Sequence, residues 1–266
     1  MAQTVFNRYE KKYLLPMDLY MILRKLLKPY MEEDQYGLHT ICNLYFDTDN
    51  YDLIRRSIEK PKYKEKLRIR SYGVPKADSR VYLEIKKKFK RIVNKRRISL
   101  PLIEAYDFVE NGARPKTLFF DKDTDPETAA FEAEQIVKEI DFFIHRYPLT
   151  RGTFLAYDRI ALFEREGDFR VTFDRNIRSR TQNANLVYGD KGKLLLPADY
   201  CLMETKVMGA TPKWFSEILS ELCLYPTSFS KYGNVFKQDV FGADCTEQLL
   251  HRFENWEVVL EEKKGA

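Results

Sequence analysis

The sequence predicts an α+β protein built around an antiparallel β-sheet, and three observations carry that prediction. Stretches with polar–apolar alternation, the period of a β-strand, fall into two blocks along the chain. Amphipathic helical stretches lie before, between and after these blocks, so strands and helices are segregated rather than regularly alternating. Lys and Arg dominate the polar phase of the strands, which is unusual for a sheet face that only meets water.

The composition is that of a folded protein with a sizeable core. The chain has 266 residues, of which 44% are hydrophobic and 14% aromatic. The net charge is only +5, too small to indicate a nucleic-acid binder by itself. Cations concentrate in residues 55–97 and acids in residues 121–141.

The first block begins with an amphipathic helix, "LPMDLYMILRKLLKPYM", that Pro29 ends. Its predicted inward face is made of large apolar residues at helical spacing: Leu19, Ile22, Leu23, Leu26 and Tyr30. Next come the strand "HTICNLYFDT", a turn from Asp47 to Asn50, and the alternating strands "KLRIRSYG", "VYLEIKKKF" and "NKRRISL".

Helices are then predicted over about 102–111 and about 126–146, the second with a stripe of Phe131, Ile136, Ile140 and Ile144. Strands resume with "TFLAYDRIALF", "DFRVTFDRNI" and "YCLMETKVM". A further helix is predicted with Thr211 as N-cap and Pro212 at its first position. We expect one domain over residues 1–266, with a core of about 5–240 and a C-terminal helix of about 245–262.

Several function classes are disfavoured. The four cysteines form no CxxC pair and there are three histidines, so a zinc site is not expected and reduced, buried thiols are. The start "MAQTVFNRYEKKYLL" lacks the apolar core of a signal peptide, and no apolar run approaches the ~20 residues that span a bilayer. These features predict a soluble, cytoplasmic protein.

The most charged stretch reads as a β-hairpin. Eight of the twelve residues from Lys86 to Arg97 are Lys or Arg, yet Phe89, Ile92 and Val93 interrupt them. The polar phase of this and the other strands comprises Lys66, Arg68, Arg70, Glu84, Lys86, Lys88, Lys95, Arg97, Arg170, Thr172, Asp174, Glu204 and Lys206.

Like charges on neighbouring strands repel, so a face this cationic needs anions to offset it. A concave or closed sheet whose polar face surrounds a polyanion would supply them, with Arg gripping phosphate oxygens in pairs. Removing Arg68 or Arg70 from such a face is expected to relieve repulsion in the ligand-free protein. Glu84 and Glu204 each precede a Lys by two residues, which indicates either a salt bridge or a carboxylate that shares Mn²⁺ or Mg²⁺ with phosphate.

Nine motifs follow one another along the chain: "RYEKKYLL", "LYFDT", "KLRIRSYG", "YLEIKKKF", "NKRRISL", "YDRIALF", "FRVTFDRNI", "LMETKVMG" and "SFSKYG". In these motifs and their order the chain resembles the VTC domain, the polyphosphate polymerase branch of the CYTH-like triphosphate tunnel metalloenzymes. The resemblance implies an antiparallel β-barrel tunnel of about eight strands with a basic interior and helices packed outside. It also implies transfer of the terminal phosphoryl group of ATP to polyphosphate, assisted by Mn²⁺ or Mg²⁺, with a membrane protein as a possible partner.

The resemblance places phosphate-binding roles on individual residues. The catalytic set is Arg68, Arg70, Lys86, Arg159 and Arg170. Substrate-binding residues are Lys12, Lys95, Ser230 and Lys231, to which the strand phase adds Lys66, Lys88 and Lys206. Glu204 matches the metal-binding glutamate, and Glu84 and Glu10 are further candidates for metal binding.

Two departures from the superfamily pattern bear on the activity. Arg8 stands where the wider superfamily often has the first acid of E-x-E-x-K, as is usual in the VTC branch, and this argues against a simple triphosphatase. Ser228 stands where polymerase subunits can carry a lysine. The alternatives are a metal-dependent triphosphatase or polyphosphatase, and a non-catalytic module that binds polyphosphate or inositol phosphate. RNA binding by the hairpin is disfavoured because no nucleic-acid signature is present.

Overall fold

The computed structural model describes residues 9–90, 92–243 and 250, and it confirms the α+β class with an antiparallel sheet. The strands are β1 Tyr9–Pro16, β2 Met31–Glu33, β3 His39–Asp47, β4 Tyr63–Tyr72, β5 Arg80–Phe89, β6 Ile92–Pro101, β7 Thr150–Glu164, β8 Arg170–Arg180, β9 Lys193–Leu194 and β10 Tyr200–Val207. The helices are α1 Met17–Leu27, α2 Asp52–Ile58, α3 Leu102–Asn111, α4 Pro126–Arg146, α5 Lys213–Glu221 and α6 Lys231–Phe241.

The chain divides into two compact units. The first comprises Met1–His39, Tyr157–Ile177 and Leu194–Ala266, of which residues 9–39, 157–177, 194–243 and 250 are described. The second comprises Thr40–Ala156 and Arg178–Lys193. Strand β7 therefore supplies its first half to the second unit and its second half to the first unit.

The second unit is built on strands in the order β7-β3-β4-β5-β6. β4 pairs antiparallel with β3 and β5, and β5 with β6, which follows from their short connections. The apolar phase of these strands is buried against α3 and α4. Leu67, Ile69 and Ile85 lie in one cluster with residues of both helices, as the alternation predicts.

The first unit is built on strands in the order β1-β10-β8-β7. Its apolar phase, including Val171 and Met203, forms a core with Leu23 of α1 and Phe215 of α5. In each unit, therefore, helices cover one side of the strands and the polar phase of the strands lies on the other side.

Helix α1 is present, but its predicted inward face was partly wrong. Leu19 and Leu23 are buried, whereas Ile22, Leu26 and Tyr30 are exposed. The buried stripe is completed instead by Tyr20 and Leu27. Tyr30 is still in contact with protein, because its ring stacks on Trp214 at a centroid distance of 4.3 Å.

The predicted stripe of α4 was also wrong at one position. Ile140 is buried and Ile136 and Ile144 are partly buried, but Phe131 is exposed. The helix turns Ala129, Ala133, Val137 and Phe143 inward, so small residues set the phase of its first turns. Helix α5 begins one residue later than predicted: Pro212 is its N-cap, and Thr211 lies outside it.

The sequence reading missed β1 and the short helices α2 and α6 as elements. Helix α2 follows directly on the predicted turn, and the buried carboxylate of Asp47 accepts hydrogen bonds from the backbone N–H groups of Leu53 and Ile54 at 2.9 and 3.0 Å. Tyr51, in the left-handed region at φ 59°, leads into this helix. A carboxylate at a helix start satisfies N–H groups that otherwise lack partners.

The predicted C-terminal helix and Cys245 lie outside the described residues, apart from Leu250, which is helical. Among the helices that the structure describes, none has the length and apolar character needed to cross a membrane.

Candidate functional site

The polar side of β4, β5 and β6 in the second unit is strongly cationic; we call it the β4–β6 face. The strand register sets its side chains in rows across neighbouring strands. One row is Lys66, Lys86 and Lys95; the next is Arg68, Glu84 and Arg97; the third is Arg70, Tyr82 and Ser99. Within the described residues, Glu84 is the one carboxylate in these three rows.

Glu84 is the hub of this face. Its side chain is 1% exposed, and Oε2 accepts hydrogen bonds from Arg68 Nε at 2.8 Å and Nη2 at 2.6 Å. Lys95 Nζ forms a close ion pair with Oε1 at 2.7 Å. Arg70 Nε is 4.0 Å from Oε2. Burial alone would raise the pKa of Glu84, but Arg68, Arg70 and Lys95 outweigh burial and hold that pKa well below its usual range.

These ion pairs come from β4 and β6, the strands on either side of Glu84. The predicted pairing of Glu84 with Lys86, two residues along the same strand, is therefore replaced by pairing across the sheet. Three cations surround Glu84 in this structure, so it acts here as a salt-bridge partner. Its candidate role in metal binding stays a prediction.

Two residues of β3 orient the arginines. Arg68 Nη1 donates to the Tyr45 hydroxyl at 2.9 Å, and Arg70 Nε donates to Asn43 Oδ1 at 3.0 Å. Asn43 is itself fixed, since its Nδ2 donates to the Leu155 carbonyl at 3.2 Å. Burial would raise the pKa of Tyr45, but the positive charges of Arg68, Lys66 and Arg70 outweigh it and lower the pKa to about 8.

The lysine row of the β4–β6 face consists of three cations and contains no carboxylate. Lys66, Lys86 and Lys95 stand side by side on strands that are ~4.8 Å apart, so their ammonium groups repel. Lys86 is exposed, and the Lys95 side chain is 39% exposed. Burial and the neighbouring arginines lower the pKa of Lys95 to about 8, more than Glu84 raises it. An anion placed on this row would relieve the repulsion.

A second polar face lies in the first unit, on β1, β10 and β8; we call it the β1–β8 face. The register sets Lys12 opposite Glu204 and Glu10 opposite Lys206, while Thr172 and Arg170 flank them from β8. Glu204 is 9% exposed, with Lys206 Nζ 2.9 Å from Oε1 and Lys12 Nζ 3.6 Å from Oε2. Burial would raise the pKa of Glu204, but Lys206, Lys12 and Lys231 outweigh it and hold the pKa well below its usual range.

Asp174, which is fully buried, joins two cations on the same face. Arg159 donates to both of its oxygens, at 2.6 and 2.8 Å, and Lys231 Nζ lies 2.5 Å from Oδ2. Burial would lower the pKa of Lys231, but Asp174 and Tyr157 raise it further than burial lowers it. Both cations therefore stay charged although only 14% and 11% of their side chains are exposed.

Ser230 has a structural role at the start of α6. Its Oγ accepts a hydrogen bond from the backbone N–H of Gly233 at 3.2 Å, the geometry of an N-cap, and Lys231 is the first residue of the helix. The isolated bridge between Lys12 and Thr227, together with a hydrogen bond from Lys12 Nζ to the Phe229 carbonyl at 2.8 Å, holds the preceding segment against β1.

The predicted site residues thus fall into two groups. The β4–β6 face brings together Lys66, Arg68, Arg70, Glu84, Lys86, Lys88 and Lys95. The first unit brings together Glu10, Lys12, Arg159, Arg170, Glu204, Lys206, Ser230 and Lys231. Sequence reasoning missed Asn43 and Tyr45 as orienting residues, although both lie on the polar phase of "CNLYF". Asp174 was noted only for its strand phase.

Carboxylates that could bind a divalent metal are few on these two faces. The described residues contain no cluster of three or more His, Cys, Asp or Glu side chains that could hold a metal by themselves. Glu204, with the exposed Glu10 diagonally opposite on β1, offers one or two carboxylates at the β1–β8 face. Mg²⁺ and Mn²⁺ bind through one or two carboxylates when phosphate and water complete the shell, and Glu204 fits such a shared metal.

Comparison with known proteins places this geometry in a family. The sequence model of the VTC domain matches residues 7–238, a span that includes both faces. The chain belongs to the VTC domain family. This confirms the resemblance drawn from the nine motifs, whereas curated proteins gave no match to the chain.

Solved structures align with this VTC domain at low sequence identity. A candidate adenylate cyclase from Bacillus halodurans aligns with a TM-score of 0.50 and 16% identity, covering 86% of this chain and 96% of that chain. A candidate adenylyl cyclase from Hippeastrum, described as having a dominant triphosphatase activity, aligns with a TM-score of 0.46 and 16% identity over 84% of this chain and 92% of that chain. At such identities, the first of these likenesses concerns the fold alone.

Proposed function

We propose that this VTC domain binds ATP and polyphosphate and transfers the terminal phosphoryl group of ATP to the polyphosphate chain. The observation that carries the proposal is the lysine row of the β4–β6 face. Three lysines on adjacent strands, beside two arginines that a buried carboxylate holds in place, form a preorganised site for several phosphate groups.

In this proposal the β4–β6 face neutralises the negative charge of the bound phosphate groups and fixes their positions. Lys66, Lys86 and Lys95 contact phosphate oxygens, with Lys88 further along β5. Arg68 and Arg70 are on the same strand face, some 6–7 Å apart along β4, so they can contact successive parts of one ligand. Phosphoryl transfer needs little covalent chemistry from the protein, because the equatorial oxygens carry the charge that must be stabilised.

The β1–β8 face supplies a second set of cations in the proposal. Lys12, Lys206, Arg170, Arg159 and Lys231 are assigned to phosphate oxygens, and Ser230 keeps Lys231 at the start of α6. The acceptor is a phosphate oxygen that is already ionised at neutral pH. The proposed reaction therefore needs neither a covalent nucleophile nor a general base from the protein.

Glu204, with Glu10 beside it, is the proposed ligand of Mn²⁺ or Mg²⁺. When bound, such a metal would add positive charge against the phosphate oxygens and orient them. Lys12 and Lys206, which pair with Glu204 here, would keep the carboxylate ionised whether or not a metal is present.

The proposal is tested by incubating the purified protein with ATP and Mn²⁺ and measuring both long-chain polyphosphate and free phosphate. Polymer supports the polymerase. Free phosphate without polymer indicates the triphosphatase or polyphosphatase alternative, and binding without either product indicates the non-catalytic module.

Two adjacent lysines on opposite sides of β5 allow a controlled test of phosphate binding by the β4–β6 face. Lys86 and Lys87 are neighbours on β5, but Lys87 lies on the opposite side, where its Nζ is 2.7 Å from Glu139 of α4. Lys86→Ala should weaken binding of tripolyphosphate by about 10–100-fold, the loss of one charge-assisted contact, whereas Lys87→Ala should leave it unchanged. Equal losses in the two variants would remove the β4–β6 face from the proposal.

The remaining expectations from the sequence and from the resemblance stay predictions. These are the enclosure of the cationic residues in a shared tunnel, the cytoplasmic location, and a membrane-protein partner that receives the product. Nucleic acid is not a proposed partner.

A further inference from the structure

The second unit contains a small cavity at the edge of the β4–β6 face. It has a volume of about 160 Å³ and lies between β6, the segment Leu118–Asp121 and the first turns of α4. Pockets that enclose a drug-sized ligand measure about 300–1,000 Å³. This cavity is therefore suited to a single ring system rather than to an entire nucleotide.

The cavity is lined by planar side chains and by equal numbers of positive and negative groups. Tyr82, Phe119 and Phe120 contribute rings, and Arg80 and Arg97 contribute guanidinium planes. Arg80 lies near two of the rings, 5.6 Å from the centroid of Tyr82 and 5.7 Å from that of Phe119. Its Nε and Nη2 donate to Ser99 at 2.6 Å and Asp121 at 2.9 Å, so it is already neutralised.

The two remaining charged groups of the cavity are available to a ligand. The guanidinium of Arg97 lies 4.5 Å from the centroid of Tyr82 and makes no ion pair with any residue that the structure describes. Glu132 is exposed and makes no ion pair or hydrogen bond within the same described residues. Two arginines and two acids give no net charge, so the cavity does not attract phosphate as the neighbouring lysine row does. A neutral, planar group with polar edges fits it best.

The register connects this cavity to the proposed phosphate site. Tyr82 stands opposite Arg70, and Arg97 stands opposite Glu84, the residue that holds Arg68. With strands ~4.8 Å apart, the two arginines of β4 lie about one or two strand spacings from the cavity wall. A ring in the cavity could therefore belong to a molecule whose phosphates rest on the β4–β6 face.

We infer that this cavity binds the base of a nucleoside triphosphate, with stacking on Phe120 and Tyr82 and with Glu132 accepting a hydrogen bond from an amino group of the base. The inference rests on the proposed function, because the triphosphate must occupy the β4–β6 face. The base site goes beyond the proposed function because it would allow the domain to distinguish ATP from an inorganic triphosphate.

The test compares the affinities for ATP and for inorganic tripolyphosphate by titration calorimetry in Phe120→Ala, Glu132→Ala and the parent. Stacking of a base on an aromatic ring corresponds to roughly 5–100-fold in affinity. Phe120→Ala should lose that factor for ATP and keep the parent affinity for tripolyphosphate. Glu132→Ala, which removes the hydrogen-bond acceptor, should also weaken ATP binding, by about 10-fold, and leave the affinity for tripolyphosphate unchanged. Phe131→Ala, which removes an exposed ring of α4 outside the cavity, is the control and should change neither affinity.

Each outcome decides between the two proposals. Unchanged ATP affinity in Phe120→Ala, or equal losses for both ligands, would overturn the base site while leaving the phosphate site intact. If neither ligand binds the parent, the proposed function fails, and the base site fails with it. As an independent measurement, photolysis of bound 8-azido-ATP should label the segment Leu118–Asp121, and labelling only elsewhere would overturn the inference even if a variant were misfolded.

Discussion

At the scale of single residues, the decisive feature is that one buried carboxylate organises a cationic surface. From charge alone, the sequence predicts that removing Arg68 relieves repulsion. The structure revises this, because Arg68 makes two hydrogen bonds to Glu84, whose side chain is 1% exposed. Removing one member of such a pair leaves a buried charge with fewer partners, and that cost outweighs the relief of repulsion between surface cations.

We therefore expect Arg68→Ala to lower the free energy of unfolding of the ligand-free protein. Loss of one partner of a buried pair costs about 3–5 kcal/mol; Lys95 and Arg70 remain near Glu84, so we expect ~1–3 kcal/mol here. Urea unfolding of Arg68→Ala, Glu84→Gln and the double variant measures the coupling. A coupling energy near zero would contradict the hub role of Glu84.

The pH dependence of binding follows from two residues that titrate near pH 8. Lys95 is protonated below about pH 8 and neutral above it, and Tyr45 is neutral below about pH 8 and negative above it. Both changes remove positive charge from the β4–β6 face as the pH rises. We expect the affinity for tripolyphosphate to fall by about 10-fold or more between pH 7 and pH 9.

The control for this pH profile is Lys95→Arg combined with Tyr45→Phe, which keeps the positive charge and removes the ionisable hydroxyl. Titration of the ligand itself affects parent and variant alike, so it cancels in the ratio of their affinities. The ratio should grow in favour of the variant above pH 8. A ratio that is constant from pH 7 to pH 9 would show that these two groups do not set the profile.

At the scale of elements, alternation in the sequence was enough to predict which side of β4 and β5 is cationic. The alternation of Lys66, Arg68 and Arg70 with Leu67 and Ile69 predicted a strand with one cationic and one apolar side. It also predicted that helices cover the apolar side. The partners of these side chains could not be predicted, because alternation fixes the two sides of a strand but leaves shifts of two residues in register open. A salt bridge between Glu84 and Lys86 was therefore one of two predictions, whereas Lys95 forms the ion pair in the structure.

The helices show a different limit. The inward face of α4 was misjudged because Phe131 is more hydrophobic than Ala129 and Ala133, whereas the tertiary packing buries the small residues. Helix α2 could not be recognised because its seven residues are too short for a helical period, and its start depends on the buried carboxylate of Asp47. The buried face or the start of a helix cannot be predicted from its own residues when contacts with residues outside the helix determine it.

The start of α6 gives a prediction that separates a structural role of Ser230 from substrate binding. Ser230→Ala should destabilise the protein by ~1 kcal/mol through loss of the N-cap, and Ser230→Asp should restore stability because Asp also caps helices. Thermal melts of the three proteins measure this. If Ser230→Asp also restores tripolyphosphate affinity, direct contact of the serine with phosphate is disfavoured, because an added carboxylate would repel the ligand.

At the scale of the whole molecule, two polar faces are each supported by a separate core. Binding of an anion should therefore stabilise the folded protein without any new apolar contact, because it offsets charges that repel in the ligand-free state. With ligand at about 100 times Kd the stabilisation is about 2.7 kcal/mol, which corresponds to a rise of roughly 5–10 °C in Tm for a protein of this size.

A thermal-shift experiment can separate the phosphate site from the metal. We expect tripolyphosphate alone to raise Tm and Mn²⁺ to raise it further in its presence. In Glu204→Gln the first increment should persist and the second should be lost, because the cations still hold the anion. A full Mn²⁺ increment in Glu204→Gln would move the metal to another carboxylate, with Glu10 and Glu84 as the next residues to replace.

The pairing of β1 with β10 has a consequence for how the chain acquires its fold during synthesis. Tyr9 is registered against Val207, so this pair of strands cannot close until nearly all of the described chain has left the ribosome. In contrast, β4, β5 and β6 pair with their immediate neighbours and close only short loops. We expect pulse-labelling hydrogen exchange during refolding to protect the amides of β5 before those of β1, so the cationic hairpin would exist for a time before its counterpart, exposed to any polyanion in the surroundings. Simultaneous protection of the two strands would contradict this order.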